Sequence, residues 1–257
     1  MRKFGGLFLM ACLALVLLAG VFRGSSVARS ISKSSPQSPA FTPFVVSKRV
    51  THFSGAKVTK KVDFTIARRM DGSLVESFMV TGSDSPDGNE REAVFIWDIP
   101  SRRNVMLEPF TKSVMTQVLS PKEIANFLSS QKACSEAILP AEGNGSTEQL
   151  LGHAVVRVEE QLKVVDTVSW VAPDLDCFPL EQTVTFLDPQ HSGLHHNDVV
   201  TKIEEGDPPS SMFVVPSDYT ERSPLELQTE YARKYGGVKF WGTTVDDAER
   251  HYREHQE

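Results

Sequence analysis

None of the short signatures of nucleotide or nucleophile chemistry occurs among the 257 residues: there is no Gly-x-Ser-x-Gly elbow, no P-loop and no Gly-x-Gly-x-x-Gly following a strand. Their absence argues against those routes to acyl transfer and to nucleotide binding, and no cofactor is expected. A catalytic constellation without a local signature is not excluded by this. Basic residues are in the minority, 27 against 33 acidic, for a formal net charge of −6. With no basic block and no interleaving of Arg with aromatics, nucleic acid is excluded as a partner. Cysteine is scarce, and only Cys134 and Cys177 lie outside the apolar N-terminal run that contains Cys12.

That run gives the chain its address. Arg2 and Lys3 precede an apolar stretch over residues 4–22, and Ser26-Val27-Ala28 places small residues at a cleavage site. Residues 1–28 thus read as a signal peptide, or as an uncleaved anchor spanning residues 4–22. Either way the rest is exported, to the periplasm or cell envelope, and touches the membrane only through this segment if it stays uncut. Cleavage would remove Arg2, Lys3 and Arg23 and leave the mature chain more acidic. In an oxidising compartment the remaining cysteines pair most simply as a Cys134–Cys177 disulfide. It closes a loop of about 43 residues, worth roughly 4 kcal/mol of chain entropy. No Cys–His signature surrounds either residue.

Residues 29–44 are rich in Ser and Pro and read as a linker. Beyond them the sequence alternates. Val62, Phe64 and Ile66 fall on one face of "KVDFTIA", Val164, Val168 and Trp170 on one face of "KVVDTVSW", and Val184 and Phe186 on one face of "EQTVTF". Such period-two patterning predicts half-buried antiparallel strands. Asp71-Gly72 between two such runs predicts a hairpin. Helix signals are few. Ser120 as N-cap, Pro121 and Glu123 predict a helix over 121–131, and Ser223 with Glu226 form a capping box that opens another, closed by Gly236-Gly237. A charged helix is expected from Thr244. The expected class is α+β, mainly antiparallel β: a curved sheet or half-open β-barrel with an inserted helix and C-terminal helices. Its divisions are a β domain over 45–221 and a helical appendage over 222–257.

Four groups of residues offer chemistry. "HYREH", His251 to His255, has the spacing of an inverted zinc-peptidase motif, but too little chain follows to supply the third ligand, so it reads as a surface helix. His191, His195 and His196 are weak candidates for a metal site in a predicted turn. Asp174 and Asp176 in "WVAPDLDCFPL" suggest a calcium clamp or an acid/base pair, with solvated loop carboxylates as the simpler reading, as for the acidic loop Asp84 to Glu92. Finally Phe64, Phe78, Phe95, Trp97, Trp170 and Phe186 are candidates to line an apolar ligand cavity, where the simpler reading is a filled core.

The layout "KKVDFTIARRMDGSLVESFMV", then "AVFIWDIPSRRNVMLEP", resembles the periplasmic lipoprotein-carrier superfamily, the lipoprotein-sorting proteins and their stress-sensor relatives. "VSWVAPDLDCFPLEQTVTF" is similar to the core of uncharacterised exported bacterial proteins. The resemblance covers roughly residues 45–216. It implies an unclosed β-barrel with helices as a lid, holding a lipid, a lipoprotein acyl chain or an envelope protein partner; no family site residue carries over. The expected function is a non-catalytic envelope protein that binds an apolar ligand or a protein partner in a curved sheet. The alternatives are an envelope hydrolase or metal-dependent enzyme, and a purely structural or sensory module.

Overall fold

The structure, a computed structural model, describes residues 40–81, 85–131, 148–188, 191 and 193–235. The expected signal segment, most of the linker, Cys134 and the His251–His255 motif lie outside them. Among the described residues twelve strands follow in order: β1 (Phe44–Ser54), β2 (Lys57–Arg68), β3 (Leu74–Val80), β4 (Arg91–Asp98), β5 (Arg103–Glu108), β6 (Ser113–Val118), β7 (Glu148–Leu150), β8 (His153–Gln161), β9 (Val165–Ala172), β10 (Phe178–Phe186), β11 (Leu194–Glu205) and β12 (Thr220–Glu221). Helices Pro121–Ser130 and Pro224–Tyr235 follow β6 and β12. The sheet order is β12-β6-β5-β4-β3-β2-β1-β11-β10-β9-β8-β7, with two ends, so the sheet is open and not a closed barrel. The described pairings are antiparallel except the short β12–β6 one. This is the mainly antiparallel α+β class expected from the sequence. Among the described residues no helix is long and apolar enough to cross a membrane.

The chain divides into two compact units. The first comprises Pro39–Phe78 and Gln131–Phe213. Its core gathers Phe44, Val46, Ile66, Val155, Ala172, Leu175, Leu180 and Val200. Alternation along β1 and β2 builds it: Val46 pairs with Ile66 and Val50 with Val62, all four buried, while Arg49 and Asp63 point to solvent and pair with each other. The Asp71-Gly72 hairpin forms as expected. The Asp71 carboxylate accepts from the Ser73 amide at 2.7 Å, and Gly72 takes a φ of 83°, which its missing Cβ permits.

The second unit comprises the described residues of Met79–Ser130 and Val214–Glu257. The β4–β5–β6 meander buries Ile96, Val105, Leu107 and Val114, and the Pro224–Tyr235 helix buries Leu227 and Tyr231. Both helices open with reciprocal capping boxes. The Ser120 and Ser223 hydroxyls accept from the amides of Glu123 and Glu226, whose carboxylates accept back from the serine amides. The β5–β6 turn is held by Glu108, which is fully buried and accepts from the amides of Phe110 at 2.9 Å and Thr111 at 2.7 Å. The Phe110 carbonyl in turn accepts from the Tyr235 hydroxyl at 3.0 Å and from the Lys234 ammonium, tying the helix end to the turn.

Replacing Glu108 by Ala leaves two backbone amides without their acceptor. The substitution should lower unfolding stability by about 3 kcal/mol. Urea denaturation reads this as a lower midpoint at an unchanged slope; a midpoint equal to that of the parent would show that the turn holds without its carboxylate.

Candidate functional site

Asp174 and Asp176, the acidic pair of the sequence, hold the β9–β10 connection in place. After β9 the chain makes a 3-10 turn, Pro173–Leu175, and then places Asp176 and Cys177 at φ values of 57° and 61°. Two consecutive left-handed residues with side chains are disfavoured and need outside support. Arg68, 1% exposed, supplies it: its guanidinium donates to Asp176 Oδ2 at 2.8 Å, to the Leu175 carbonyl at 3.0 Å and, from two nitrogens, to the Thr42 carbonyl. The Thr42 amide donates to the same Asp176 oxygen at 2.8 Å. The rings of Phe44 and Phe41 lie against the guanidinium, at 4.5 and 5.4 Å. Burial pulls the Arg68 pKa down to about 10, a shift that Asp176 opposes, and the group stays charged at neutral pH. Asp174 is exposed and accepts from His153 Nδ1 at 2.8 Å. The simpler reading of both as solvated carboxylates thus needs correcting for Asp176, whose side chain is largely enclosed by its partners.

Polar chemistry lies instead on the face of the first unit's sheet that carries the core. Phe44, Val46, Lys48, Val50 and His52 share one face of β1, and the pairings set beside them Arg68, Ile66, Phe64, Val62 and Lys60 on β2. Leu74, Glu76 and Phe78 continue that face on β3, and Asp198 and His196 continue it on β11. The row therefore passes from aliphatic to charged. Lys48, with its ammonium 5.3 Å from the centre of the Phe64 ring, donates to Asp198 Oδ2 at 3.0 Å. Phe64 and Phe78 sit 5.1 Å apart. The other Asp198 oxygen is buried with no hydrogen bond, and His196 Nε2 stands 3.7 Å from it.

Glu76 is 5% exposed, and its Oε1 has no hydrogen-bond partner. Burial raises its pKa above the ordinary 4.5, against the pull of Lys48. Burial has the opposite sign for histidine. His52, its ring 5.5 Å from that of His196, is pushed down to about 4 by desolvation and then by His196 and Lys60, and His196 is lowered mainly by its own burial. Both imidazoles are neutral at pH 7.

The three histidines singled out by the sequence do not converge. His195 and His196 both lie within β11, so strand alternation points them to opposite faces: His195 stacks on Phe53 at 4.6 Å, and His196 lies in the buried row. His191 donates to Asp188 at 3.0 Å. Among the described residues no group of three His, Cys, Asp or Glu side chains is placed to hold a metal ion. The six aromatic candidates also separate. Phe64, Phe78 and Phe186 share the core-bearing face of the first unit, Phe186 lying 6.0 Å from His196. Trp170 takes the other strand parity, pairing with Arg157 and Glu181, and packs against the first unit's core with the Arg157 guanidinium over its ring. Phe95 and Trp97 belong to the second unit, where Phe127 of the Pro121–Ser130 helix stacks on Trp97 at 5.2 Å.

Sequence reading missed Lys48, Glu76, His52 and Arg68. The signal that finds the first two is a charge at the apolar parity of an alternating strand: Lys48 between Val46 and Val50, Glu76 between Leu74 and Phe78.

No protein-family profile and no curated protein sequence matches the chain. Among solved structures it is similar to PNGF-II, at 10% identity and a TM-score of 0.38 over 74% of this chain, which spans 33% of the PNGF-II chain's length. It is similar to a LolA superfamily protein from Nitrosomonas europaea, at 10% identity and a TM-score of 0.34, covering 67% of this chain and 90% of that one. It is also similar to MucB in complex with MucA, at 15% identity and a TM-score of 0.28, covering 72% of this chain and 57% of that one.

Two outcomes follow from the geometry. Arg68→Met removes every donor of the fork and leaves Asp176 without its counter-charge, and should cost about 3–5 kcal/mol of stability. Arg68→Lys should recover only part of it, since one ammonium cannot reach three acceptors; full recovery in urea melts would rule out the fork as the source. Glu76 holds a proton in the folded state that the unfolded chain has lost above pH 4.5, so its contribution to stability fades as pH rises through the raised folded pKa. Glu76→Gln should therefore melt higher than the parent at alkaline pH, with the gap closing near pH 4.5; a pH-independent gap would contradict a buried titrating carboxyl.

Proposed function

We propose that the chain is an exported, non-catalytic envelope protein that binds an apolar ligand, or an apolar segment of a protein partner, on the core-bearing face of its first unit. The observation that carries this reading is the Glu76 carboxyl, enclosed beside Phe64 and Phe78 with Oε1 unpartnered. A buried polar atom without a partner is uncommon and calls for a reason. An amphiphile supplies one: its polar head donates to Glu76 near Lys48, and its apolar body lies along Phe64, Phe78 and Phe186. Asp174 and Asp176 are occupied in shaping the loop, so no specific observation favours a hydrolase built on them.

The same reading places residues 1–28 as the export signal and joins Cys134 to Cys177. In its support, Cys177 is buried and is not free. The bridge would fasten the residue that follows Asp176, in the strained stretch that Arg68 also holds.

Native mass spectrometry of the chain purified from a bacterial envelope without detergent tests the proposal. The expected spectrum shows an adduct of lipid mass, lost in Glu76→Leu, on a chain starting at Arg29 and lighter by two hydrogens before reduction. A bare chain that takes up no fatty acid or phospholipid on incubation would remove the apolar-ligand reading.

A further inference from the structure

We propose that one end of the first unit docks on an anionic phospholipid bilayer through three neighbouring hairpin ends. The β1–β2 turn sits against the β10–β11 connection, where the Gly55 amide donates to the Gly193 carbonyl at 2.8 Å. That connection sits against the β8–β9 turn, where the Leu187 amide donates to the Val164 carbonyl at 2.9 Å. The described residues of the three turns therefore lie side by side in one rim, at the opposite end of β1 and β2 from the Arg68 fork.

In or next to each turn one large aliphatic side chain is exposed: Val58 at 45%, Val164 at 53% and Leu187 at 42%. A single exposed aliphatic needs no explanation, but three on one rim, one to a turn, form a patch for shallow insertion. Cations accompany them. The β1–β2 end carries Lys57, Lys60 and Lys61, with no acidic residue between Thr51 and Val62, and Lys163 adjoins Val164. The acids at this end are Glu159, Glu160, Asp166 and Asp188, of which Glu159 pairs with Arg157 and Asp188 accepts from His191. The rim is thus apolar at its tips and basic along its β1–β2 side.

This chemistry fits lipid better than a protein groove. The aliphatics project from separate turns, each small enough to enter the boundary between head groups and acyl chains, with lysines at the height of the phosphates. The surface lies at the end of the ligand face proposed above, shares only Lys60 with it and does not depend on it. Together they describe a protein that holds its cargo on one face while its rim rests on a membrane.

Hydrogen exchange of the full chain tests this, with and without vesicles of phosphatidylglycerol and phosphatidylethanolamine. Exchange should slow at the three turns and stay unchanged at the Asp71-Gly72 turn, a pattern that binding through the N-terminal apolar segment alone does not produce. High salt should weaken the effect, and each of Lys57→Glu and Lys61→Glu should reduce apparent affinity by about fivefold. The triple variant Val58→Asp, Val164→Asp, Leu187→Asp should lose the protection while melting at the parent's temperature. Equal protection in that variant, or none in the parent, would overturn the proposal; if the triple variant unfolds, the two lysine variants decide it in the same way.

Discussion

The fork between Arg68 and the Asp176 loop fixes one end of the first unit. Arg68 closes β2, Thr42 lies just before β1, and Leu175 and Asp176 lie between β9 and β10. A single planar cation thus joins three stretches of chain that no one ladder joins. Only a guanidinium has the donors to do this in a fixed plane, and the Phe44 and Phe41 rings meet it where water otherwise would. Removing a charge from water is unfavourable unless its partners are complete. Here they are supplied by two carbonyls and a carboxylate, and the pKa of Arg68 still falls to about 10 under the burial. The carboxylate has a second duty: accepting from the Thr42 amide as well, it holds Asp176 in its left-handed conformation.

From that end the same sheet face changes character step by step. Next to Arg68 it is aliphatic, through Val46 and Ile66; at the middle come Lys48, Asp198 and Glu76; beyond them lie His52 and His196. One desolvating environment moves the last three in opposite directions, the carboxyl up and the imidazoles down, because burial disfavours the charged form of each. Among these titrating neighbours the Lys48–Asp198 pair supplies the hydrogen-bonded charge. Such a row departs from a filled apolar core at one well-defined place, and there the unpartnered oxygens of Glu76 and Asp198 lie.

The second unit is organised by shorter-range contacts. Its buried carboxylate, Glu108, accepts from amides two and three residues away, and its helices begin with capping boxes that span three residues. The Pro121–Ser130 helix buries no residue fully and meets the sheet through Phe127 against Trp97. Ser120 as N-cap, with Pro121 and Glu123 behind it, was enough to predict the helix but not how shallowly it sits.

What the sequence by itself determined is what short stretches of backbone decide. Val62, Phe64 and Ile66 alternate because a strand turns its side chains every second residue. Asp71-Gly72 reverses the chain through a carboxylate–amide bond and a glycine φ, and Ser120 and Ser223 start helices by accepting from nearby amides. The tertiary structure decided everything that depends on strand register. Arg68 meets Asp176 across 108 residues and Lys48 meets Asp198 across 150. A shift of one residue in pairing would have turned each away from its partner. For the same reason Trp170 takes the strand parity opposite to that of Phe186, and His195 and His196, adjacent in sequence, lie on different sides of one strand. Parity along a strand is local, whereas the neighbour that parity presents is chosen only when the sheet assembles.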